Sequence, residues 1–486
     1  MRSPNREVIP VRKDLDIGGT LKRNAVTIMF LALCVVCLTL SGQRVSSVVF
    51  ELSTRIFRNA FIVLALIIPI VAGMGINFAI TIGAMAAQIS LLWVLEWGIP
   101  GIAGFGVAVA MTVPIAGFFG YLIGKLLNKM KGQEMIGSMI LGFFANGVYQ
   151  LLFLFIFGNL IPLNTPGLVI KGSTGVANTM DLSKPGGLKN SLDGLWKFKA
   201  GEFDKAIYVF AAIAVVLVLV VFLSKKFKWN TFVAAFVGAA ACFGVAQIPA
   251  VGAALSLTSL PMTIILALAL MGFFSIGIML MKPKAMIAAL VVSAVCVGLI
   301  QIPAVKEMFS LTSVPMVTIL TVALLCLFNI GIMKTRLGQQ FRAVGQSRVV
   351  ANASGIDVNR TRLTAIIYST ILAGIGQLIF VQNMGALQTY GAHEQVGLYA
   401  GAAILVGGAS LVRATNAQAI LGCVLFHMLF LVAPPAAKNV FGDAAIGEYF
   451  RVFITYGVIA MALVMHAWSN IQSNKPRNAI RAAVRR

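Results

Sequence analysis

The chain has 486 residues, of which 59% are hydrophobic and only 11% are charged. So few charges exclude a soluble globular protein, because a solvated surface needs more of them. The net charge of +23 does not indicate nucleic-acid binding. The Lys and Arg residues concentrate in the connections that face the cytoplasm when successive apolar runs are assigned to alternate crossings of a membrane.

Repeated apolar runs of bilayer-spanning length predict an all-α polytopic membrane protein with about 14 apolar passes. The passes include broken or half-spanning helices, and both termini are predicted to be cytoplasmic. Residues 1–24 form a basic tail, 25–468 the transmembrane domain and 469–486 a second basic tail. No cleavage site follows the first apolar run, so Asn24–Ser41 is predicted to be a retained helix.

The next apolar region is irregular. Gln43–Asn59 is partly amphipathic and is expected to lie along the outer membrane interface. Ala60–Trp97 is too long for one pass, and the glycine-rich Gly73–Asn77 interrupts it. Clustered glycines with an amide permit a helix break in the membrane where the break lines a cavity or is buried in protein. A tight turn between two helices is the alternative.

Two regular passes and a long polar segment follow. Gly101–Gly124 is predicted to return inward, and Glu134–Phe157 to cross outward again. Residues 159–205 have mixed charge and many Gly, Pro, Asn and Ser residues. That composition predicts a loop or small cap on the outer face. A passive connector is favoured over a docking site for a binding protein.

A direct repeat occupies the next hundred residues. Gln247–Val251 recurs as Gln301–Val305, and Gly277–Met279 recurs as Gly331–Met333, each 54 residues later. The repeat predicts that residues 232–281 and 286–335 are duplicated helix hairpins. Copying a unit of two passes preserves the orientation of everything downstream.

The segment Lys334–Arg362, called the polar loop below, carries six Lys or Arg residues against one acid, Asp357. It is too polar to cross a membrane. Gln346–Ser354 is predicted to be a short helix with a small surface at Ala351 and Ala353 and a glycine exit. Such a helix suits docking to a soluble partner. A loop that only fixes the topology is an equally weighted alternative.

Further apolar runs complete the chain. Leu363–Asn383 is predicted to cross outward. Gly397–Leu411 and Ala417–Pro434 are short and rich in Gly and Ala, which predicts half-spanning or tightly packed helices. Arg451–Ala467 is predicted to return inward.

The apolar runs hold no cluster of acids, bases or metal ligands, which disfavours a proton-coupled transporter or a membrane enzyme. The sequence has no GxxxxGK[ST] phosphate loop, so the chain is not itself an ATPase. All six cysteines fall inside apolar runs and are interpreted as small buried side chains. His393 and Glu394 are interpreted as an incidental pair in an outer loop.

Amides are the polar groups that remain in the predicted bundle. A neutral, hydroxyl-rich solute could exchange water for amide contacts at little electrostatic cost. A hydrogen bond between helices is the more common role of any one such amide. The candidate translocation pathway comprises Asn77, Gln88, Asn146, Gln150, Gln377, Gln382 and Asn383.

The run FRAVGQSRVVANASGIDVNRTRLTAIIYSTILAGIGQLI (Phe341–Ile379) resembles a signature of one family. It is similar to the cytoplasmic loop and following helix of ABC importer permeases for simple sugars, nucleosides and branched-chain amino acids. The likeness continues through Gly397–Phe426 and, more weakly, Asn59–Gln88 and Gln133–Phe153, where it is nearest to the nucleoside-type branch. The matching positions of the first run are Arg342, Ala343, Gly345, Ala351, Gly355, Ile356, Val358, Arg360, Ala373, Gly374 and Gly376.

The sequence departs from that family in two places. The family usually carries Gly-Ile-Asp-Leu-Ser where this chain reads Gly-Ile-Asn-Phe-Ala at Gly75–Ala79. Losing the acid and the hydroxyl removes the basis for transferring any ligand or capping role from that motif. The family is also shorter, so the second hairpin of the repeat is an addition.

The resemblance implies the transmembrane permease subunit of an ATP-driven importer in a bacterial inner membrane. It further implies an ABC ATPase subunit that binds ATP and Mg²⁺, a second permease subunit and an extracytoplasmic binding protein that delivers a nucleoside or simple sugar. No cofactor is expected on this chain. A self-contained secondary transporter or facilitator is the alternative. In the family this loop forms the coupling helix that contacts the ATPase subunit. The resemblance implies that the coupling residues here are Arg342, Gly345, Gln346, Ala351, Ala353, Gly355, Asp357 and Arg360.

Overall fold

The computed structural model describes residues 25–199 without 131, 166, 171–174 and 185–186, residues 313–450 without 444, and a few positions between 452 and 460. Most of the described residues are helical. The helices are α1 Ala25–Ser41, α2 Val45–Ala65, α3 Ile67–Val71, α4 Ile80–Glu96, α5 Gly101–Lys129, α6 Glu134–Leu151 continued by a π-helix Leu152–Ile156, α7 Met316–Lys334, α8 Arg336–Gln346, α9 Arg348–Ala353, α10 Val358–Met384, α11 Val396–Val406 and α12 Asn416–Phe441.

Six helical segments in the described part are long and apolar enough to cross a membrane. The prediction of about 14 passes also counts apolar runs that lie outside the described residues. The predicted duplicated hairpins likewise lie outside the described residues as far as residue 312. The six segments are Val45–Val71, Gly101–Lys129, Glu134–Ile156, Met316–Lys334, Val358–Met384 and Asn416–Phe441.

Helix α10 lies at the centre of the described bundle and packs most extensively against α5 and α4. Glycines allow this close approach. A Cβ added at Gly83 of α4 would lie 2.2 Å from the carbonyl oxygen of Thr370, and one at Gly374 would lie 2.6 Å from Cγ2 of Thr112. Small residues at helix contacts are the usual basis of tight packing in membranes, where van der Waals contact drives association.

The polar loop marks one end of the bundle, called the loop end below. There the side-chain amide of Asn128, near the end of α5, donates to the Asn359 carbonyl at 2.8 Å. Glu134 at the start of α6 meets Arg362 near the start of α10. The end of α5, the starts of α6 and α10, and helices α8 and α9 therefore lie together.

The opposite end carries the segment 159–199, called the cap below. Its backbone amides Leu192 and Asp193 donate to Oε1 of Gln382 near the end of α10, both at 3.4 Å. Nδ2 of Asn383 donates to Oδ2 of Asp193 at 2.6 Å. The cap is thus a packed structure that is hydrogen-bonded to the bundle.

The described residues are mostly helical, as expected, but four short strands depart from an all-α fold. Strands β1 Thr179–Asp181 and β2 Lys197–Lys199 lie in the cap, and β3 Ser313–Pro315 and β4 Ala386–Gln388 pair with them from outside it. Strand β1 pairs antiparallel with β4, and β2 with β3. Strands of three residues are too short to show an alternating pattern in the sequence.

The segment Gln43–Asn59, which is expected to lie along the membrane interface, begins a helical segment, Val45–Val71, that is long and apolar enough to cross a membrane. Its placement at the interface stays a prediction. The polar residues of this segment find partners. Arg55 pairs with Glu51 one turn earlier at 3.2 Å, and the guanidinium of Arg58 lies 5.5 Å from the ring centre of Phe380. Cation–π contact and ion pairing reduce the cost of placing these charges at the start of a span.

The expected break within Ala60–Trp97 is present. The chain is non-helical from Ala72 to Ala79, a segment called the helix break below. Gly73 and Gly75 adopt φ of 72° and 69°, a left-handed conformation that glycine adopts without steric penalty. Downstream, α11 has 11 residues and is half-spanning in length, as expected. The run Ala417–Pro434 belongs to a helix of 26 residues, α12, which is long enough to cross.

Candidate functional site

The polar loop folds into two helices, α8 and α9, which precede the long helix α10. Phe341 and Val344 on α8 are buried against the bundle. Oγ of Ser347 accepts the Val350 amide at 3.3 Å and caps α9. Oδ1 of Asp357 accepts the Arg360 amide at 2.9 Å and caps α10. These side chains satisfy amide groups that helix starts leave unpaired, so the predicted coupling residue Asp357 holds the loop in shape.

The two residues of the predicted small surface, Ala351 and Ala353, face opposite sides of α9, one towards the bundle and one towards solvent. Ala351 is 2% exposed and packs against the bundle, while Val349 and Val350 are 80% and 63% exposed. The sequence reasoning missed these valines, although two adjacent apolar residues in a polar segment are a visible signal. Arg342, Gln346, Ala353, Gly355 and Arg360 are exposed as well.

The loop touches the helix break through two glycines. A Cβ added at Gly345 would lie 2.1 Å from the carbonyl oxygen of Val71, and one at Gly73 would lie 2.7 Å from Cα of Gly345. The end of α8 therefore contacts the helix break backbone to backbone. Any displacement of α8 at this point must move the break or lose the contact.

A buried ion cluster joins the same loop to α6. Oε1 of Glu134 lies 2.7 Å from Nη2 of Arg348 and 2.6 Å from Nη2 of Arg362. Arg362 is 1% exposed and Glu134 6%, so both charges depend on the cluster for their compensation. Nη2 of Arg348 also donates to the Gly73 carbonyl at 3.4 Å. No feature of the sequence pattern links these residues.

Nearer the cap end, His393 connects two of the predicted pathway amides. Its ring is fully buried, with Nδ1 2.9 Å from Oε1 of Gln88 and Nε2 2.8 Å from Oδ1 of Asn146. The hydroxyl of Tyr149 lies 2.6 Å from Oε1 of Gln88 and 3.0 Å from the Thr389 carbonyl. The interpretation of His393 as an incidental loop residue is therefore wrong.

Protonation determines how these groups are arranged. Burial lowers the pKa of His393 to about 4, so the ring is neutral at pH 7 and carries one N–H. A neutral imidazole donates from one nitrogen and accepts at the other, so one amide must present its NH₂ group. Turning the Gln88 amide over meets this need and also gives a partner to its Nε2, which is otherwise buried without one.

A cavity of about 460 Å³ adjoins this network. Asn146 belongs to both, and its Nδ2 donates to Oε1 of Glu394 at 3.1 Å. Of the described residues that line the cavity, Glu394 alone is charged. Phe78 brings in the helix break, and α6 supplies a further wall. The lining is Phe78, Thr81, Met139, Gly142, Phe143, Asn146, Glu394, Gln395, Gly397, Leu398, Tyr456 and Ala460.

The other predicted pathway amides lie apart from the cavity. Asn77 accepts the Ala79 amide at 3.1 Å within the break. Gln377 is buried and donates to the Ala392 carbonyl at 3.3 Å, next to His393. Gln382 and Asn383 hold the cap. Gln150 is half-buried on α6, one residue beyond Tyr149. The structure thus brings Gln88 and Asn146 together around His393 and gives Asn77, Gln382 and Asn383 local bonding roles.

The transmembrane helices and the loop that touches their break define a multi-pass membrane protein. A family model described as "Branched-chain amino acid transport system / permease component" matches residues 198–465, more than half of the chain, and the chain belongs to that family. The resemblance to ABC transporter permeases is confirmed. The chain's place in a nucleoside-type branch stays a prediction.

A curated relative supports this membership. The chain is 33% identical over 119 residues to a probable ABC transporter permease protein, y4mJ, of Sinorhizobium fredii (strain NBRC 101917 / NGR234). That alignment covers 24% of this chain and 35% of the relative, so the chain spans about a third of the protein it matches. No solved structure matches the chain.

Proposed function

We propose that this chain is the transmembrane permease subunit of an ATP-driven importer for a nucleoside or simple sugar. The observation that carries the proposal is the contact between Gly345 at the end of α8 and Gly73 in the helix break. The same break contributes Phe78 to the cavity wall. A partner that moves the polar loop would therefore act on the cavity through a short run of backbone.

The partner that fits the loop is an ABC ATPase subunit. Val349 and Val350 stand in solvent on a polar segment, and exposed apolar residues ringed by polar ones are typical of docking surfaces. ATP and Mg²⁺ would bind to that subunit, and nucleotide binding would shift the bundle between inward- and outward-facing states. Reversing a 1:99 population needs about 5.5 kcal/mol of differential binding.

The cavity supports a neutral, hydroxyl-bearing solute. Asn146 and Gln395 offer amides, Thr81 offers a hydroxyl, and Phe78 and Phe143 offer flat apolar faces. The carboxylate of Glu394 can accept hydroxyl hydrogens. Glu394 could pair with the ammonium group of an amino acid, but no Lys or Arg stands among the described lining residues, so the carboxylate of an amino acid would be left without a cationic partner. This difference favours a sugar or nucleoside over a branched-chain amino acid.

The remaining parts of the proposal follow the family pattern. The complex would contain a second permease subunit, and an extracytoplasmic binding protein would deliver the solute. The membrane would be the inner membrane of a bacterium, with the polar loop and both termini in the cytoplasm. The excess of Lys and Arg in the polar loop supports that orientation.

Co-purification tests the proposal. The full chain is purified in mild detergent as the native protein and as Val349→Glu with Val350→Glu. The matched control is Leu160→Glu, an aliphatic residue 77% exposed that lies beyond the far end of α6. We expect an ATP-hydrolysing subunit with a phosphate-binding loop to accompany the native protein and the control, and to be lost from the double variant.

The contrary result is equally clear. If the native chain recovers no ATPase and moves solute alone in liposomes, the chain is a facilitator or secondary transporter and the polar loop only fixes topology. Ala351→Glu is unsuitable for the test, because Ala351 is buried and a charge there would disturb the fold of α9 itself.

A further inference from the structure

The ion cluster at the loop end joins three separate segments of the chain at one oxygen atom. Arg348 approaches Oε1 of Glu134 from α9 and Arg362 approaches it from α10, at 2.7 Å and 2.6 Å. Glu134 itself is the first residue of α6. The loop that we assign to the ATPase is therefore bonded to a wall of the cavity, and not only to the helix break.

The two arginines are not equivalent. Arg362 is 1% exposed and belongs to a helix of 27 residues at the centre of the bundle. The side chain of Arg348 is 34% exposed and belongs to a helix of six residues. Arg348 can exchange its bond to Glu134 for water, whereas Arg362 cannot.

Arg362 makes it possible for Arg348 to exchange its bond to Glu134 for water. Breaking a buried ion pair normally leaves an uncompensated charge, which is strongly unfavourable. Here Arg362 keeps Glu134 neutralised when Arg348 leaves. The two guanidinium groups also repel each other, so departure of Arg348 relieves a like-charge contact. The cluster thus has two acceptable arrangements, as an element that switches between discrete states requires.

Both surfaces that Arg348 touches lead to the cavity. Its Nη2 donates to the Gly73 carbonyl at 3.4 Å, and the helix break continues to Phe78. On α6, Oγ of Ser138, one turn beyond Glu134, accepts the Phe78 amide at 3.1 Å. The same helix then contributes Met139 and Asn146 to the lining.

We propose that Arg348 and Glu134 form a releasable link that transmits movement of α9 to α6 and the helix break, so that nucleotide binding opens or closes the cavity. Both are positioning residues, since neither lines the cavity. This inference rests on the proposed function. Beyond that function, the Arg348–Glu134 contact is assigned the transmission of the movement, and Arg362 stays paired with Glu134 throughout.

The test uses the full chain in complex with the ATPase that co-purifies with it. Met139→Cys on the cavity wall reports accessibility through its rate of labelling by a water-soluble maleimide. The rate is measured without nucleotide and after trapping with ATP and vanadate. For the native loop we expect a change of about fivefold or more, the usual lower range of coupling between sites.

Three loop variants are compared on that background. Arg348→Gln should still bind the ATPase, and the complex should still hydrolyse ATP, but the nucleotide-dependent change in labelling should be lost. Arg348→Lys should recover most of it, because both contacts of Arg348 are made by one nitrogen, Nη2, and a single ammonium can take the place of that nitrogen. Arg336→Gln removes an exposed charge from α8 without touching the cluster, and it should behave like the native loop.

The outcomes separate the two proposals. If no ATPase is recovered with the native chain, the proposed function fails and the link with it. If the ATPase is recovered but Arg348→Gln keeps the full change in labelling, or the native loop shows none, the releasable link is wrong while the importer assignment stands.

Discussion

The two ends of the described bundle hold their polar groups in different ways. At the loop end, Glu134 and two arginines form a charged cluster of which one member reaches solvent. Towards the cap end, His393, Gln88 and Asn146 form a neutral network beside a cavity. Charges respond strongly to the approach of another charged surface, whereas a neutral network can exchange hydrogen bonds with a solute at small cost. Under the proposed function, the ATPase would act at the loop end and the solute would bind towards the cap end.

The largest expected effect comes from removing the central charge of the loop end. Glu134→Ala leaves the guanidinium of Arg362, which is 1% exposed, without compensation. Loss of one partner from a buried ion pair costs about 3–5 kcal/mol. The midpoint of thermal unfolding in detergent should therefore fall steeply for this variant.

The matched control removes another paired carboxylate. Glu51→Ala breaks the pair with Arg55, whose side chains are 41% and 25% exposed, and exposed pairs contribute about 0.2–1 kcal/mol. Equal shifts in the two variants would mean that the loop-end cluster is no more than a surface pair.

Protonation should break the network near the cap end. Burial lowers the pKa of His393 to about 4, while an unfolded histidine titrates near 6.5. A lowered pKa means that the folded protein disfavours the charged ring. His393 therefore contributes stability that is fully present above pH 6.5 and is lost as the pH falls from there towards 4, by up to about 3 kcal/mol.

The measurement is the unfolding midpoint between pH 8 and pH 4 for the native chain and for His393→Gln. Subtracting the two profiles removes the contribution of the other histidines. The difference should be flat above pH 7 and should shrink below pH 6.5. A difference that is independent of pH across that window would show that the ring is accessible to water.

A steric change at the loop end should have an intermediate effect. Gly345→Ala places a Cβ 2.1 Å from the carbonyl oxygen of Val71, so α8 must shift away from the helix break. Overpacking of this kind costs about 1–3 kcal/mol. Gly331→Ala on α7, where nothing lies within 4 Å, should be neutral or slightly stabilising. If both alanines behave alike in thermal unfolding, α8 and the break are not in firm contact.

The comparison of the two ends also shows what the sequence could predict. The bounds of Ala25–Ser41 and the break at Gly73 follow from local signals, which are a run of apolar residues and glycines that allow positive φ. The ion cluster has no such signal, because Glu134 and Arg362 are 228 residues apart. The partners of His393 are likewise 305 and 247 residues away. Contacts of this range depend on how the helices pack, which no local pattern encodes.

The polar loop shows the same division within a few residues. The sequence predicted a short helix near Gln346–Ser354, and the structure has one at Arg348–Ala353. It did not predict which face of that helix turns inward, so Ala351 was expected at the surface and is buried. Which face of a six-residue helix turns inward depends on tertiary contacts, such as that of Gly345 in the preceding helix with the helix break.

The smallest expected effect distinguishes two roles of Asp357 in the polar loop, capping α10 and contacting the ATPase through its charge. Asp357 caps α10 through Oδ1, which accepts the Arg360 amide at 2.9 Å. Asp357→Ala should cost about 1 kcal/mol of stability, as the loss of a cap usually does, while Asp357→Asn keeps the oxygen and should cost little. Both variants are measured for thermal unfolding and for ATPase recovery. If the carboxylate met the ATPase directly, Asp357→Asn would lose the ATPase while unfolding like the native chain. Because Oδ1 of Asp357 already accepts the Arg360 amide, we expect Asp357→Asn to retain the ATPase and to unfold like the native chain.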